Sequence, residues 1–102
     1  MNKRLAFLEQ HCKADTADSF AFYGLAMEYR KEGRVDDAIA TFTRLKDKDP
    51  DYVPLYLMAG QTLIDAARSA DARSWLESGV AIATKKHDTH ALGELESALA
   101  SL

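Results

Sequence analysis

Residues 18–50, DSFAFYGLAMEYRKEGRVDDAIATFTRLKDKDP, decide how the rest of the chain is read. Phe22, Leu25, Ala26 and Tyr29 recur at i, i+3, i+4 and i+7, the spacing that puts four side chains on one face of a helix. That helix is expected to begin near Asp18 or Ser19, both short polar residues able to accept a hydrogen bond from a first-turn amide. A turn at Gly33 ends it. A second helix over about 35–47 carries Ala38, Ile39, Phe42 and Leu45 on its own apolar face, and Pro50 blocks further helix because it lacks an amide hydrogen. Two antiparallel helices follow, with small Ala38 where the backbones approach and Phe42 filling the wedge between them.

The pattern resembles the tetratricopeptide repeat, a helix-turn-helix unit of about 34 residues with the signature W-x2-L-G-x2-Y followed by small, aromatic and proline positions. Phe22 stands at the Trp place, Leu25-Ala26 at Leu-Gly and Tyr29 at Tyr. Gly33, Ala38, Phe42, Leu45 and Pro50 complete nine positions in register. The resemblance covers roughly residues 3–102 and is strongest over 18–50. It implies an all-α fold of antiparallel helix-turn-helix repeats, a superhelix of about six helices. It also implies a non-catalytic function, the binding of another protein through the concave face.

Moving outward, Leu5, Leu8 and Cys12 recur at helical spacing, and Leu8 stands one period before Phe42. Residues 1–17 therefore read as the second half of an incomplete repeat, covering the side of the helix that follows. After the first repeat at 18–50, residues 51–84 form a weaker copy: Tyr56 replaces Phe22, Ala59-Gly60 replaces Leu25-Ala26, and Leu63, Ala72, Leu76 and Gly79 take the later places. Sizes match better than identities. Ala67 replaces the turn glycine and Thr84 the closing proline, and Ser69 is the candidate cap of this copy's second helix. Residues 85–102 form a final capping helix with Leu92, Leu95, Leu99 and Leu102 on its apolar edge and Glu94, Glu96 and Ser97 for the solvent side. Leu92 lies two residues beyond one period from Tyr56, so a longer connection is expected around 85–88.

The whole reads as one domain, 1–102, with apolar content sufficient for a core. A net charge of −3 argues against a nucleic-acid surface, which needs clustered Lys and Arg; the longest basic cluster is Lys85-Lys86-His87. A single cysteine cannot form an internal disulfide, which fits a reducing compartment. Glu9, Gln10 and His11 interrupt the N-terminal apolar run before it reaches signal-peptide length. No stretch approaches the roughly 20 apolar residues of a membrane span. These features, with the resemblance, lead us to expect a cytoplasmic, bacterial-type protein with no membrane contact.

Signals for catalysis, metal or a cofactor are weak. His87 and His90 lack a nearby third ligand, and His87 falls where a connection is expected. Cys12 and His11 are adjacent, so on a helix they point roughly 100° apart and form no nucleophile–base pair; a half-buried structural thiol is the better reading. Asp36-Asp37, Asp47, Asp49 and Asp51 sit at helix starts and turns, where carboxylates offset the macrodipole. Phosphate loops and nucleophile elbows are absent from the sequence.

The functional candidates are residues the repeat does not need for its core. Phe20, Tyr23, Met27 and Arg30 form a second stripe on the first repeat's leading helix, matched one period later by Pro54, Leu57, Gln61 and Ile64. In tetratricopeptide proteins these places line the concave groove, so the resemblance assigns partner binding to Phe20, Tyr23, Met27, Arg30, Leu57, Gln61 and Ile64. An apolar groove with polar edges at Arg30, Lys31, Gln61 and Asp65 suits an amphipathic helix or an extended peptide. The competing explanation for the stripe is core, with the N-terminal helix covering Phe20. The Lys/Asn clamp with which some family members grip chaperone C-termini is missing, since Tyr23, Met27, Leu57 and Gln61 occupy its places. Trp75 is expected under the last helix. Homodimerisation through the same stripe is the structural alternative.

Overall fold

A computed structural model describes residues 2–102 and folds them into six helices: α1 Lys3–His11, α2 Ser19–Lys31, α3 Val35–Lys48, α4 Pro54–Asp65, α5 Ser69–Lys85 and α6 Thr89–Ala100. Among the described residues there is no strand. At the start of α2 the Asp18 carboxylate accepts the Ala21 amide at 2.8 Å, so Asp18, not Ser19, is the cap. Arg30 and Lys31 occupy its last turn, where cations complement the exposed carbonyls.

Three helices end in the same way. After α2, Gly33 takes φ 75°, its amide donates to the Arg30 carbonyl at 3.0 Å, and the Arg34 amide donates to the Tyr29 carbonyl at 2.9 Å. This is a Schellman turn, which satisfies carbonyls the helix leaves open. After α4 the same pair runs from Ala67 to Ile64 at 3.0 Å and from Arg68 to Leu63 at 2.8 Å, with Ala67 at φ 61°. After α5 it runs from His87 to Thr84 at 3.1 Å and from Asp88 to Ala83 at 2.9 Å, with His87 at φ 55°.

This geometry corrects two expectations. Ser69 is already the first helical residue of α5 and makes no cap, because the tight turn leaves Arg68 in the cap position. Arg68 instead reaches Asp71 at 3.1 Å and Asp36 at 3.0 Å. The connection near 85–88 is short: α5 runs to Lys85 and only Lys86–Asp88 separate it from α6. With Thr84 where a proline would have closed the repeat, nothing stops the helix, and the extra residues are absorbed into it.

Each helix packs against the next one along the chain, and in addition α2 touches α4 and α4 touches α6. Among the described residues, no comparable packing joins α1 to α3 or α3 to α5. The stack therefore curves, with α2, α4 and α6 on the concave side. Phe22, Phe42, Leu45, Leu55, Tyr56, Leu63, Leu76 and Leu95 are fully buried between the layers, each contributing about 1.5–3 kcal/mol of transfer free energy.

Two glycines set the tightest contacts. A Cβ on Gly60 would stand 2.5 Å from Leu76 Cδ2, and one on Gly79 would stand 2.6 Å from Tyr56 Cβ and 2.8 Å from Leu95 Cδ2. Gly79 is thus the point where α5 meets both neighbours. Trp75 turns elsewhere and corrects the expectation that it lies under α6. Its ring tilts against Tyr56 at 6.4 Å between centroids and carries the Lys46 ammonium of α3 over its face at 5.4 Å.

Helix α1 lays Leu5 and Leu8 against α2 and ends at Cys12, whose side chain is buried outright rather than half-buried. Burial pushes the thiol up from its ordinary range. Its neighbour His11 is exposed and stacks on Phe7, with ring centroids 5.9 Å apart. Polar bonds flank the apolar seam. Glu28 accepts from Asn2 at 3.0 Å and from Arg4 at 2.9 Å, while Tyr29 donates to Glu9 at 2.6 Å. The Asn2 hydrogen bond and the cations around Glu28 hold its carboxyl below the usual range.

Candidate functional site

The concave side is lined by α2, α4 and α6, and its features follow from which face each helix keeps free of the core. On α2, Tyr23 sits half-buried at the boundary. Its ring meets Phe42 edge-on at 6.3 Å and Tyr52 at 5.6 Å, and burial, with Tyr52 beside it, raises the phenol above its ordinary value. On α4, Leu57 and Gln61 project one turn apart. Two cavities meet along this face. The deeper, of about 280 Å³, is walled by Tyr23, Val53, Leu57, Met58, Ala91 and Leu95, with Asp88, His90 and Glu94 at its edge. The wider, of about 700 Å³, lies between Leu57 and Gln61 on one bank and His90, Gly93, Glu94, Ser97 and Ala98 on the other. Leu57, His90 and Glu94 belong to both, so the cavities form one continuous groove.

The residues proposed from sequence divide into four groups. Tyr23, Leu57 and Gln61 come together in the groove. Met27 and Ile64 are half-buried and pack on the core, as Tyr23 and Leu57 also do, but line neither groove cavity. Arg30 lies apart: it donates to Asp65 at 2.9 Å, Gln61 donates to the other oxygen of Asp65 at 3.1 Å, and Arg30 borders a separate hollow with Val35 and Thr62. Phe20 is 71% exposed at the first turn of α2, so α1 does not cover it, and it lines neither groove cavity.

The second bank of the groove, on α6, was missed from sequence, where Glu94 and Ser97 read as solvent-facing ornament on a capping helix. The offset that aligns Leu92 with Tyr56 also carries Pro54 to His90, Leu57 to Gly93 and Gln61 to Ser97. Applying it to the stripe as well as to the core would have found that bank. Gly93 gives the groove its width, since nothing lies within 4 Å of the place a Cβ would occupy.

With respect to metals, no group of three His, Cys, Asp or Glu residues is placed to hold an ion among the described residues. His90 instead pairs with Glu94 at 3.3 Å, and His87 is taken up in the α5 turn. No described helix is long and apolar enough to cross a membrane.

A family model described as Tetratricopeptide repeat matches residues 29–99, more than half of the chain. The chain belongs to the tetratricopeptide-repeat family. Among solved structures with this repeat fold, a protein of Bordetella parapertussis determined in solution is 27% identical, with 99% of this chain and 88% of that one covered at a TM-score of 0.83. The crystal structure of a tetratricopeptide repeat domain protein from Salinibacter ruber is 32% identical, covering 83% of this chain and 94% of that one at a TM-score of 0.74. The type III secretion translocator chaperone SycD of Yersinia enterocolitica, at 22% identity and a TM-score of 0.75 over 92% of this chain and 75% of that one, shares the fold. No curated protein matches at a significant level. Tetratricopeptide repeats are in general protein-interaction modules, and the groove on α2, α4 and α6 is the concave face of such a stack.

Proposed function

We propose that this tetratricopeptide protein is a non-catalytic, cytoplasmic interaction module that holds a peptide or helix of a partner protein in its concave groove. The observation that carries this reading is the continuous groove between α4 and α6, with half-buried Tyr23 and Leu57 facing it and no core requirement for its open side. Half-buried apolar walls with polar edges give a partner both area to desolvate and hydrogen bonds to fix register. The test is recovery of bound protein from a lysate of the source organism by wild type, by Tyr23→Glu and Leu57→Glu, and by Arg44→Glu on α3 outside the groove. A partner held by wild type and Arg44→Glu but lost by both groove variants supports the reading. A partner retained by the groove variants refutes it.

Self-association through the same stripe is a second reading, favoured by the 71% exposure of Phe20 at its start. Light scattering over a concentration series separates the two. A mass fixed at 11.3 kDa leaves the groove free, whereas a dimer that Tyr23→Glu converts to folded monomer places the interface there.

A further inference from the structure

We propose that the α4–α6 end of the groove selects peptides in which a large apolar residue lies next to a lysine or arginine. This rests on the peptide-groove reading and specifies its ligand. Three observations on separate residues converge on it.

The first is shape. The deeper cavity, about 280 Å³ between Tyr23, Leu57, Met58 and Leu95, falls just below the range of about 300–1,000 Å³ found for small-molecule pockets. It opens sideways into the wider groove instead of closing over a ligand. That suits one large side chain of a longer chain, entering from a backbone that runs along α6.

The second is charge. The residues around the two cavities include the carboxylates of Asp88 and Glu94 and no lysine or arginine. Asp88 spends one oxygen as the cap of α6, accepting from the Ala91 amide at 3.0 Å, which leaves the other for a ligand. Glu94 is half exposed, and its polar partner is the exposed His90 imidazole 3.3 Å away. A cation lying at the mouth of the apolar cavity meets both carboxylates; an acidic peptide meets repulsion there, and this sign discrimination is what charges at a rim contribute to recognition.

The third is Gly93. Glycine in a helix interior weakens the helix, and at Gly60 and Gly79 close packing explains it. At Gly93 no neighbour lies within 4 Å, so the fold has no use for its small size. What the missing side chain provides is a floor low enough for a peptide backbone to lie between Gln61 and Ser97.

The experiment is selection of a random dodecapeptide phage library on the full chain, followed by fluorescence anisotropy of the synthetic consensus peptide on wild type, Leu57→Arg and Glu94→Lys. The expected consensus pairs a large apolar residue with Lys or Arg within two positions. Glu94→Lys should weaken that peptide about tenfold at low salt and much less at high salt, because the exposed pair is screened. Leu57→Arg should abolish binding. If it unfolds, Gly93→Met fills the same space from the open side and should do the same. Groove-dependent peptides without a cation, or an affinity unchanged in Glu94→Lys, overturn this inference and leave the peptide groove standing. No enrichment, or peptides indifferent to every groove variant, overturns both.

Discussion

Replacing Ala67 by glycine should make this protein more stable. Ala67 is held at φ 61° by the Schellman turn between α4 and α5. For an L-residue the left-handed conformation costs roughly 1–2 kcal/mol through Cβ–carbonyl crowding. Glycine removes that cost, but its unfolded chain is freer, which takes back about 0.4–1 kcal/mol. Ala67 is exposed, so its methyl gives up little burial. The net gain is about 0.5–1 kcal/mol. In a domain of this size it should raise Tm by about 2–6 °C and move the urea midpoint up by about 0.3–0.7 M with the slope unchanged. The converse change is the control. Gly33 holds φ 75° with nothing within 4 Å of a Cβ, so Gly33→Ala tests backbone conformation without a packing clash. It should lose about what Ala67→Gly gains. Chemical denaturation of the three proteins, followed by helical circular dichroism, reads both. Equal midpoints across the set would refute the claim that the turns impose left-handed strain.

Gly79→Ala should destabilise by about 1–3 kcal/mol, the usual cost of overpacking, because its Cβ would meet Tyr56 and Leu95 below 3 Å; an unchanged urea midpoint would show that α4 and α6 give way freely. At Gly93, by contrast, alanine meets no neighbour and should add about 0.5–1 kcal/mol through helix propensity alone. All four tyrosines are held above the ordinary phenol value by burial, and Tyr29, which also donates to Glu9, is pushed up to about 12. The fold favours the neutral phenol, so this stability is complete below about pH 10 and lost as pH rises toward 12. Ultraviolet titration of tyrosinate should therefore rise with unfolding, and Tyr29→Phe should flatten the loss of stability in that window.

The first hairpin was legible in sequence because local and global signals coincide there: Asp18 caps, Gly33 turns, Pro50 stops. The second copy kept its core but changed its punctuation, and that is where reading failed. Ala67 stands at the turn-glycine place, yet an alanine by itself does not announce glycine's conformation; the hydrogen bonds from Ala67 to Ile64 and from Arg68 to Leu63 impose it. Thr84 in place of proline removed the stop, and α5 runs on to Lys85 where a longer connection was expected. Trp75 lies beside Leu76 in sequence, yet α5 presents Leu76 and Gly79 inward and turns the indole toward α3, a choice made by Tyr56 and Lys46 on other helices. For the groove, the α4 bank was visible as a repeated stripe. The α6 bank did not show as an apolar stripe, because Gly93 and Ser97 stand where Leu57 and Gln61 stand on α4, and only the 36-residue offset marks them as the same places.

Because each helix packs only on its close neighbours in the stack, one helix can open locally without dissolving the rest. Helix α6 is held on its inner side by buried Leu95. It is also one wall of the groove. A ligand seated between α4 and α6 would therefore act as a clasp between the two helices, and occupancy should be readable as slowed amide exchange across 89–100 that leaves α1 untouched. Recognition and the closing of the last helix would then be a single equilibrium, so that mutations loosening α6 weaken binding even where they touch no ligand.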